Sequence, residues 1–166
     1  MNSTTAQLVI GDALAASLIK LRNFTPADFA KYHPGGALGK KLLLQVKHII
    51  KSENKPQVSL DSSISKVIVE ISEKRLAVTA VLDQENLVGI VTDGDLRRML
   101  QQNDNINDFT AKDIMSPNPK TIDANEHVSK ALSILEDNSI TQLIVTDQNK
   151  YIGVIHLHDI LKEAIV

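Results

Sequence analysis

The feature that most limits how this chain can fold is an internal repeat in about its last three quarters. The stretch VLDQENLVGIVTDGDL, starting at Val81, aligns with VTDQNKYIGVIHLHDI, starting at Val145, 64 positions later. One copy alone would cover its apolar face poorly, so two copies are expected to pack together. The repeat therefore predicts an α/β (α+β) fold built from two pseudo-symmetric modules, each with a small sheet and helices.

Each copy contains an amphipathic helix followed by two apolar strands. The helical positions recur at i, i+3, i+4 and i+7, and the aligned sets are Ile64, Val67, Ile68 and Ile71 with Val128, Ala131, Leu132 and Leu135. Strands are predicted at 76–82 and 87–92 in the first copy and at 140–146 and 151–157 in the second. A polar four-residue connection in each copy predicts a hairpin.

The alignment before these helices requires small shifts. A one-residue shift aligns HII at His48 with DIM at Asp113, and a two-residue insertion separates Leu60 from Ile122. Asp123, with a glutamate three positions later, has the spacing of a capping box. That spacing predicts the start of the second copy's first helix.

The composition excludes several classes of function. The chain has no cysteine, which removes thiol nucleophiles and disulfides and agrees with a reducing compartment. Its formal net charge of -2 and its 3% of aromatic residues differ from the surfaces of nucleic-acid readers, so nucleic acid is not an expected partner. No unbroken run of about 18 apolar residues is present, so we expect no membrane span and a cytoplasmic location.

The first forty residues have no counterpart in the second copy. An Ala- and Leu-rich stretch predicts a helix with residues 3–5 as its caps, and TPAD from Thr25 predicts the start of a short second helix. The string HPGGALGK from His33 to Lys40 is not a P-loop, because its glycine spacing differs and no strand precedes it. Its proline and glycines predict a chain reversal with His33 at the start.

Thr92 and Asp95 stand at a predicted junction of strand and helix, where a ligand can be held. The carboxylate could accept hydrogen bonds from two adjacent ribose hydroxyls, while the hydroxyl and free helix amides could hold a phosphate. The alternative is that Asp95 and its counterpart Asp159 are only N-caps. Arg98 could pair with a ligand phosphate or lie on a solvated helix surface.

His156 occupies the position of the threonine hydroxyl in the second copy, and His158 follows two positions later. On a strand these two side chains would share a face, which is a spacing that suits a metal pair. No cysteine and no third ligand accompanies them, so no metal site is predicted. His156 is interpreted as a polar residue at the mouth of the ligand site.

The two junctions carry a resemblance to a known family. In that family a Gly, two apolar residues, a Ser or Thr, two further residues and an Asp join the last strand to the last helix. The first copy, GIVTDGD from Gly89, fits this pattern, and the second, GVIHLHD from Gly153, departs from it at His156. The chain thus resembles a tandem CBS (cystathionine beta-synthase type) domain pair, which implies one domain at 43–104 and another at 105–166.

The preceding residues resemble a second family. GDALA, FTPADFA and HPGGALGKKLL are similar to the end of the sugar isomerase (SIS) domain and the linker of bacterial D-arabinose 5-phosphate isomerases. The resemblance assigns residues 1–42 to that domain end and linker. It implies interconversion of ribulose 5-phosphate and arabinose 5-phosphate, through an enediol and without a cofactor, for synthesis of the lipopolysaccharide sugar Kdo.

His33 occupies the position of a histidine implicated in catalysis in those isomerases. A lysine and two glutamates that the family also uses are absent, so we expect no isomerase activity from this chain alone. The alternative, catalysis by His33 with Asp28, lacks a phosphate site. The resemblance also implies a homo-oligomer, with CBS pairs forming dimers and the full-length enzyme a tetramer.

The role implied for the CBS pair is regulatory. It would bind a nucleotide or nucleotide sugar, with CMP-Kdo as the candidate because it is the activated end product, and would act through the linker at 42–46. The candidate ligand contacts are Val78, Thr79, Thr92, Asp95, Arg98, Thr121, His156 and Asp159. The alternative is a ligand-free structural dimerisation module.

Overall fold

The computed structural model describes residues 2–33, 35–36, 39, 42–51, 53–103 and 105–163. Positions 34, 37, 38 and 40 of the glycine-rich string lie outside the described residues. The chain divides into two compact units, Met1–Leu43 and Leu44–Val166, and each is described by itself.

The first unit includes the helices α1 (Asn2–Leu21) and α2 (Pro26–Tyr32). Thr25 is the N-cap of α2: its hydroxyl accepts a hydrogen bond from the Asp28 amide at 3.2 Å, and the Asp28 carboxylate accepts one from the Thr25 amide at 3.1 Å. The predicted start of α2 is confirmed. The predicted caps of α1 are wrong, because residues 3–5 lie inside its first turn.

Helix α1 exposes a large apolar surface. Its exposed apolar side chains include Leu8, Val9, Ile10, Leu14 and Leu18. The stretch Ser3–Leu21 is long and apolar enough to cross a membrane by length and composition, a weak indication because core helices of soluble proteins satisfy it too. Polar residues such as Asp12 interrupt this stretch, so the expectation of no membrane span, which rested on the absence of an unbroken apolar run, did not take this helix into account.

The second unit holds both copies of the repeat. The first copy consists of β1 (Gln57–Ser59), α3 (Ile64–Lys74), β2 (Val78–Asp83), β3 (Asn86–Thr92) and α4 (Asp93–Gln102). The connection contains α5 (Ala111–Ile114) and β4 (Ser116–Pro117). The second copy consists of β5 (Thr121–Asp123), α6 (Val128–Asp137), β6 (Gln142–Asp147), β7 (Lys150–His156) and α7 (Leu157–Lys162). Short 3-10 turns at Val46–His48 and Ile106–Asp108 lead into the first copy and into α5.

Two small sheets carry the symmetry of the repeat. The first has the strand order β1-β2-β3-β4 and the second the order β5-β6-β7. In each copy the first strand is parallel to the second, and the second and third form an antiparallel hairpin. The predicted α/β (α+β) class, the strands and both hairpins are confirmed.

The predicted insertion before Ile122 is wrong in its position. Val58 in β1 and Ile122 in β5 occupy the same place in their sheets, facing Val81 and Val145 respectively. The offset of 64 therefore extends through the first strand of each copy, and the length differences lie earlier in the chain.

The segment that leads into each copy, 44–56 for the first copy and 109–120 for the second, packs on the other copy through its described residues. The Val46 amide donates a hydrogen bond to the Glu126 carbonyl at 3.0 Å, and the Ala111 amide donates one to the Ser62 carbonyl at 2.8 Å. Val46 is buried in the core of the second copy and Ala111 in the core of the first. This exchange confirms the one-residue shift in the alignment and joins the two copies into one unit.

Two glycines mark where the leading segments cross the strands. A Cβ on Gly153 would lie 2.6 Å from the Asn54 carbonyl oxygen, and one on Gly89 would lie 3.0 Å from the Ser116 carbonyl oxygen. Asn54 therefore corresponds to Ser116. Because Ile50 corresponds to residue 115 by the one-residue shift, the first leading segment contains three additional residues, 51–53.

Each copy has its own core, and a third cluster lies between the sheets. The predicted helix faces are confirmed, since Ile64, Val67 and Ile71 are buried in the first copy and Val128, Ala131 and Leu135 in the second. The shared cluster consists of Leu76, Val78, Ala80, Ile144, Tyr151 and Val154. Full burial of one such aliphatic side chain contributes about 1.5–3 kcal/mol, so this cluster holds the sheets together.

Asp123 does not begin helix α6. Its carboxylate accepts a hydrogen bond from the Asn125 amide at 2.8 Å, and His127 is the N-cap of the helix. The predicted capping box at 123–126 is therefore wrong. The aspartate side chain instead closes a local turn, which is a common use of Asp between elements.

Candidate functional site

The first candidate site forms where β3 ends and α4 begins, and its residues are Thr92, Asp95, Arg98 and Ser116. Thr92 is the N-cap of α4, and Asp95 lies three positions later. Asp95 Oδ2 accepts hydrogen bonds from the Thr92 amide at 2.8 Å and from the Thr92 hydroxyl at 2.6 Å. The alternative that Asp95 is itself the N-cap is wrong, because the structure gives that place to Thr92.

The second oxygen of Asp95 is also occupied. Oδ1 accepts a hydrogen bond from Arg98 Nη2 at 2.5 Å and one from the Ser116 hydroxyl at 3.3 Å. Asp95 is buried, whereas most of the Arg98 side chain is exposed. With two bonds on each oxygen the carboxylate is saturated, since a carboxylate offers about four acceptor positions. Asp95 and Arg98 also line a cavity of about 270 Å³ together with Phe109.

The spacing Thr-x-x-Asp is by itself a helix-cap signal in this chain. It forms the same capping box at Thr25 with Asp28 and at Thr110 with Asp113. Hydrogen bonds from Thr25 lower the pKa of Asp28 to about 2, and those from Thr110 lower the pKa of Asp113. Asp95 differs from both in being buried and in having two further partners.

The second candidate site forms where β7 ends and α7 begins, and its residues are Lys51, His156, His158 and Asp159. His156 is the N-cap of α7, and its Nδ1 accepts a hydrogen bond from the His158 amide at 3.0 Å. The alternative that Asp159 is the N-cap is therefore wrong as well. The partner of Asp159 is Lys51, whose Nζ lies 3.3 Å from Oδ1.

Sequence comparison identifies the architecture. Residues 46–102 and 111–165 match the CBS domain family. The chain belongs to the CBS domain family. The leading segments that cross between the copies lie within or beside these two matched ranges, so the CBS pair is one interlocked unit.

The chain is also similar to curated isomerases. It is 42% identical over 168 residues to arabinose 5-phosphate isomerase KdsD of Pseudomonas aeruginosa, covering 99% of this chain and 52% of the relative. Against the enzyme of the same name from Escherichia coli (strain K12) it is 39% identical over 167 residues, with coverages of 99% and 51%. The chain spans about half the length of these relatives, consistent with the C-terminal part of such a protein.

Solved structures share the fold of the CBS pair. The crystal structure of a CBS domain that is 26% identical covers 74% of this chain and 98% of its own, with a TM-score of 0.66. A CBS domain protein from Pyrobaculum aerophilum, complexed with AMP, is 19% identical and covers 73% and 98%, with a TM-score of 0.64.

The predicted contacts of the CBS pair occupy different environments. Val78 faces Thr92 across β2 and β3 and is buried between the sheets, beside the first site. Thr79 is fully buried, and its hydroxyl has no hydrogen-bond partner in the part of the chain that the structure describes. Thr121 is exposed on β5, separated from β7 by the central strand β6. The structure therefore groups Val78 with Thr92, Asp95 and Arg98, but it does not bring Thr121 to either site.

His33 lies outside the CBS pair, in the first unit. It is exposed at the C-terminal end of α2, where its amide donates to the Phe29 carbonyl at 3.0 Å and its ring lies 4.7 Å from the Phe29 ring. The Gly36 amide donates to the His33 carbonyl at 3.2 Å, so a turn does begin at this histidine. Asp28 is held by Thr25 and Lys31, which argues against the alternative of a His33 and Asp28 pair.

Sequence reasoning missed two residues of these sites. Ser116 and Lys51 both lie in segments far along the chain from the aspartates that they contact. For Ser116 the available signal was the one-residue shift at His48 and Asp113, because it showed that the leading segments also repeat. Among the described residues, no group of three His, Cys, Asp or Glu side chains is placed to hold a metal ion.

Proposed function

We propose that this chain is the regulatory part of an arabinose 5-phosphate isomerase, in which the CBS pair binds a nucleotide or nucleotide sugar. The observation that carries the proposal is the pair of aspartates at equivalent junctions of strand and helix in a chain about 40% identical to KdsD enzymes. CBS proteins of the same fold are described in complex with AMP, and in complex with 5'-methylthioadenosine and S-adenosyl-L-methionine. Those ligands share a ribose, whose adjacent hydroxyls suit a carboxylate.

The proposed parent enzyme interconverts ribulose 5-phosphate and arabinose 5-phosphate for Kdo synthesis in the cytoplasm. His33 would take part in proton transfer there, since an imidazole can exchange protons near neutral pH. The exposed apolar face of α1 would then be covered by the remainder of the SIS domain. A chain of these 166 residues alone is proposed to be inactive.

CMP-Kdo is the proposed effector because its chemistry combines a ribose diol, a phosphate and a carboxylate. The proposed contacts are Val78, Thr92, Asp95 and Arg98 in a domain at 43–104, and His156 and Asp159 in a domain at 105–166. Binding would regulate the enzyme only if the ligand favours one of its conformations, with the linker at 42–46 as the connection.

Calorimetric titration of the chain with CMP-Kdo, CMP, AMP and ATP tests the proposal. We expect at least one compound to bind, and Asp95→Ala or Asp159→Ala to weaken that binding about tenfold, as expected when a charged hydrogen-bond acceptor is lost. Asp28→Ala is the matched control, because it removes the same kind of capping box outside the CBS pair. Absence of heat with all four compounds would contradict the proposal.

The second candidate function is a structural dimerisation module. It is favoured by a groove of about 380 Å³ on the outer helices of the first copy, lined by the apolar residues Ile68, Leu96 and Leu100 and by the charged residues Asp93 and Arg97. Under this proposal a second copy of the chain covers the groove and no nucleotide changes the melting temperature. Leu100→Glu would then convert a dimer into a monomer in analytical ultracentrifugation, whereas the exposed control Gln101→Glu would not.

A further inference from the structure

The two candidate sites share a fold but differ in the free acceptor capacity of their aspartates. Asp95 accepts four hydrogen bonds from Thr92, Arg98 and Ser116. Asp159 accepts one side-chain hydrogen bond among the described residues, from Lys51. A ribose diol can therefore bond to Asp159 without displacing a partner, whereas at Asp95 it must replace Arg98 or Ser116.

The second aspartate also has more polar neighbours than the first at two matched positions. Gln142 faces His156 across β6 and β7 in the register that Val78 and Thr92 have in the first copy. His158 stands where the first copy has a glycine, Gly94. Both imidazole rings lie at the same helix start, with centroids 6.4 Å apart.

Lys51 belongs to the three additional residues of the first leading segment, which have no counterpart in the other segment. Its ammonium lies beside Asp159 where the Ser116 hydroxyl lies beside Asp95. About half of the Lys51 side chain is exposed, and its ammonium has two donors besides the one that Asp159 accepts. The Asp159 side chain is only 13% exposed, so solvent screens this ion pair mainly from the side of the lysine, where a ligand can share the ammonium.

We propose that the second site is the one that binds the nucleotide-type ligand, with Asp159 accepting the ribose hydroxyls and Lys51, flanked by His156 and His158, binding the phosphate. This assignment rests on the proposed nucleotide-binding function. A lysine ammonium recognises a phosphate as a compact positive charge with several donors. Because Lys51 lies on the segment that follows residue 43, phosphate binding acts directly on the chain leading out of the first unit.

The test compares each nucleotide with its nucleoside, using AMP against adenosine and CMP against cytidine in calorimetric titrations of the whole chain. In the unchanged protein the 5'-phosphate is expected to raise the affinity about tenfold. Lys51→Gln should reduce that ratio to about one while leaving nucleoside binding unchanged, and Lys51→Arg should restore most of it. Lys47→Gln is the matched control: it removes the same charge from the same segment, but Lys47 bonds to Asn125.

The outcomes separate this inference from the function on which it rests. A nucleotide that binds with the same phosphate advantage in Lys51→Gln and in the unchanged protein overturns the assignment of Lys51 but leaves nucleotide binding intact. An equal loss in Lys47→Gln overturns it too, because the effect would then be one of overall charge. Absence of binding by all four compounds and by CMP-Kdo overturns both proposals. Circular dichroism of the variants excludes misfolding as the cause of a loss.

Discussion

The first copy of the repeat holds its helix-start aspartate mainly with two partners of its own, Thr92 and Arg98, whereas the partner of the equivalent aspartate in the second copy is a lysine from a distant segment. Asp95 is buried in a capping box with Thr92, and Asp159 has Lys51 as an exposed partner. The backbone registers around the two residues are nevertheless the same. A pseudo-symmetric fold therefore does not imply equivalent sites. Single side chains decide how many acceptor positions of each aspartate carboxylate remain free to bind a ligand.

The largest expected change in stability concerns Gly89 and Gly153, the two glycines where a leading segment crosses a strand. Gly153→Ala would place a Cβ 2.6 Å from a backbone oxygen, at a φ of 153° that side chains rarely adopt. We expect a loss of about 3 kcal/mol in the free energy of unfolding, measured by urea denaturation. Gly89→Ala should cost less, about 1–2 kcal/mol, because its nearest neighbour is the flexible Met115 sulfur.

The control for this pair is Gly11→Ala, where no atom lies within 4 Å of the added Cβ. It should leave the stability of the CBS pair unchanged, since Gly11 lies in helix α1 of the other unit. Equal losses of stability for Gly153→Ala and Gly89→Ala would contradict the predicted difference in packing between the two crossings.

The aspartates themselves should differ in their contribution to stability. Asp95→Ala removes the capping box and the partner of Ser116, so we expect a loss of about 2 kcal/mol. Asp159→Ala breaks one ion pair, whose lysine is half exposed, and should cost less, about 0.5–1 kcal/mol. Chemical denaturation of both variants measures the difference, and similar values would show that the two sites are equally built into the fold.

Tyr151 distinguishes the second copy from the first, where Leu87 holds its place. Its hydroxyl donates to the Pro56 carbonyl at 2.7 Å in a buried position. The Ala80 amide also donates to that carbonyl, at 3.1 Å, so Tyr151→Phe removes one of its two donors. We expect a loss of about 1 kcal/mol in the free energy of unfolding at neutral pH. Thermal unfolding monitored by circular dichroism measures it, with Tyr32→Phe, on an exposed side chain, as the control.

Tyr151 also makes the stability of the fold depend on pH in the alkaline range. Burial raises the pKa of Tyr151 above its ordinary value of 10.0. Its contribution to stability is therefore complete below about pH 10 and falls as the pH rises above that value, because the unfolded chain loses the phenol proton first. Tyr151→Phe should flatten the decline in stability above pH 10, and an unchanged decline would exclude Tyr151 as its source.

The smallest expected effect comes from restoring the missing threonine. His156→Thr would let a hydroxyl and its backbone amide bond to Asp159, as Thr92 does to Asp95. Stability should rise by about 0.5 kcal/mol, the lower range for an improved N-cap. Nucleotide affinity should fall in the same variant, because Asp159 would lose free acceptor positions. A gain in affinity would contradict our account of why the second site is available.

Most of the fold could be predicted from the sequence because its signals are local and occur twice. The spacing of Ile64, Val67 and Ile71, repeated at Val128, Ala131 and Leu135, fixed the buried helix faces that the structure contains. The hairpins followed from polar connections between apolar runs. Agreement between two copies made each prediction stronger than either copy alone.

The features that could not be predicted depend on contacts distant along the chain. Lys51 contacts Asp159 from more than a hundred positions away in the chain. Nothing in the sequence around either residue indicates that they pair. The capping box expected at Asp123 failed because a competing local turn used the same side chain. Thr79 was expected at a ligand site, but strand alternation turns its side chain into the core.

The most direct test of the central claim is a nitrogen-15 NMR titration of the chain with AMP and with CMP. Our account predicts that the largest amide shifts occur at Lys51, Asn54 and Gln142 and across His156–Asp159. Largest shifts at Ser116 and across Thr92–Asp95 instead would place the ligand at the first site and contradict the assignment. No shift with either nucleotide, nor with CMP-Kdo, would contradict ligand sensing by this CBS pair.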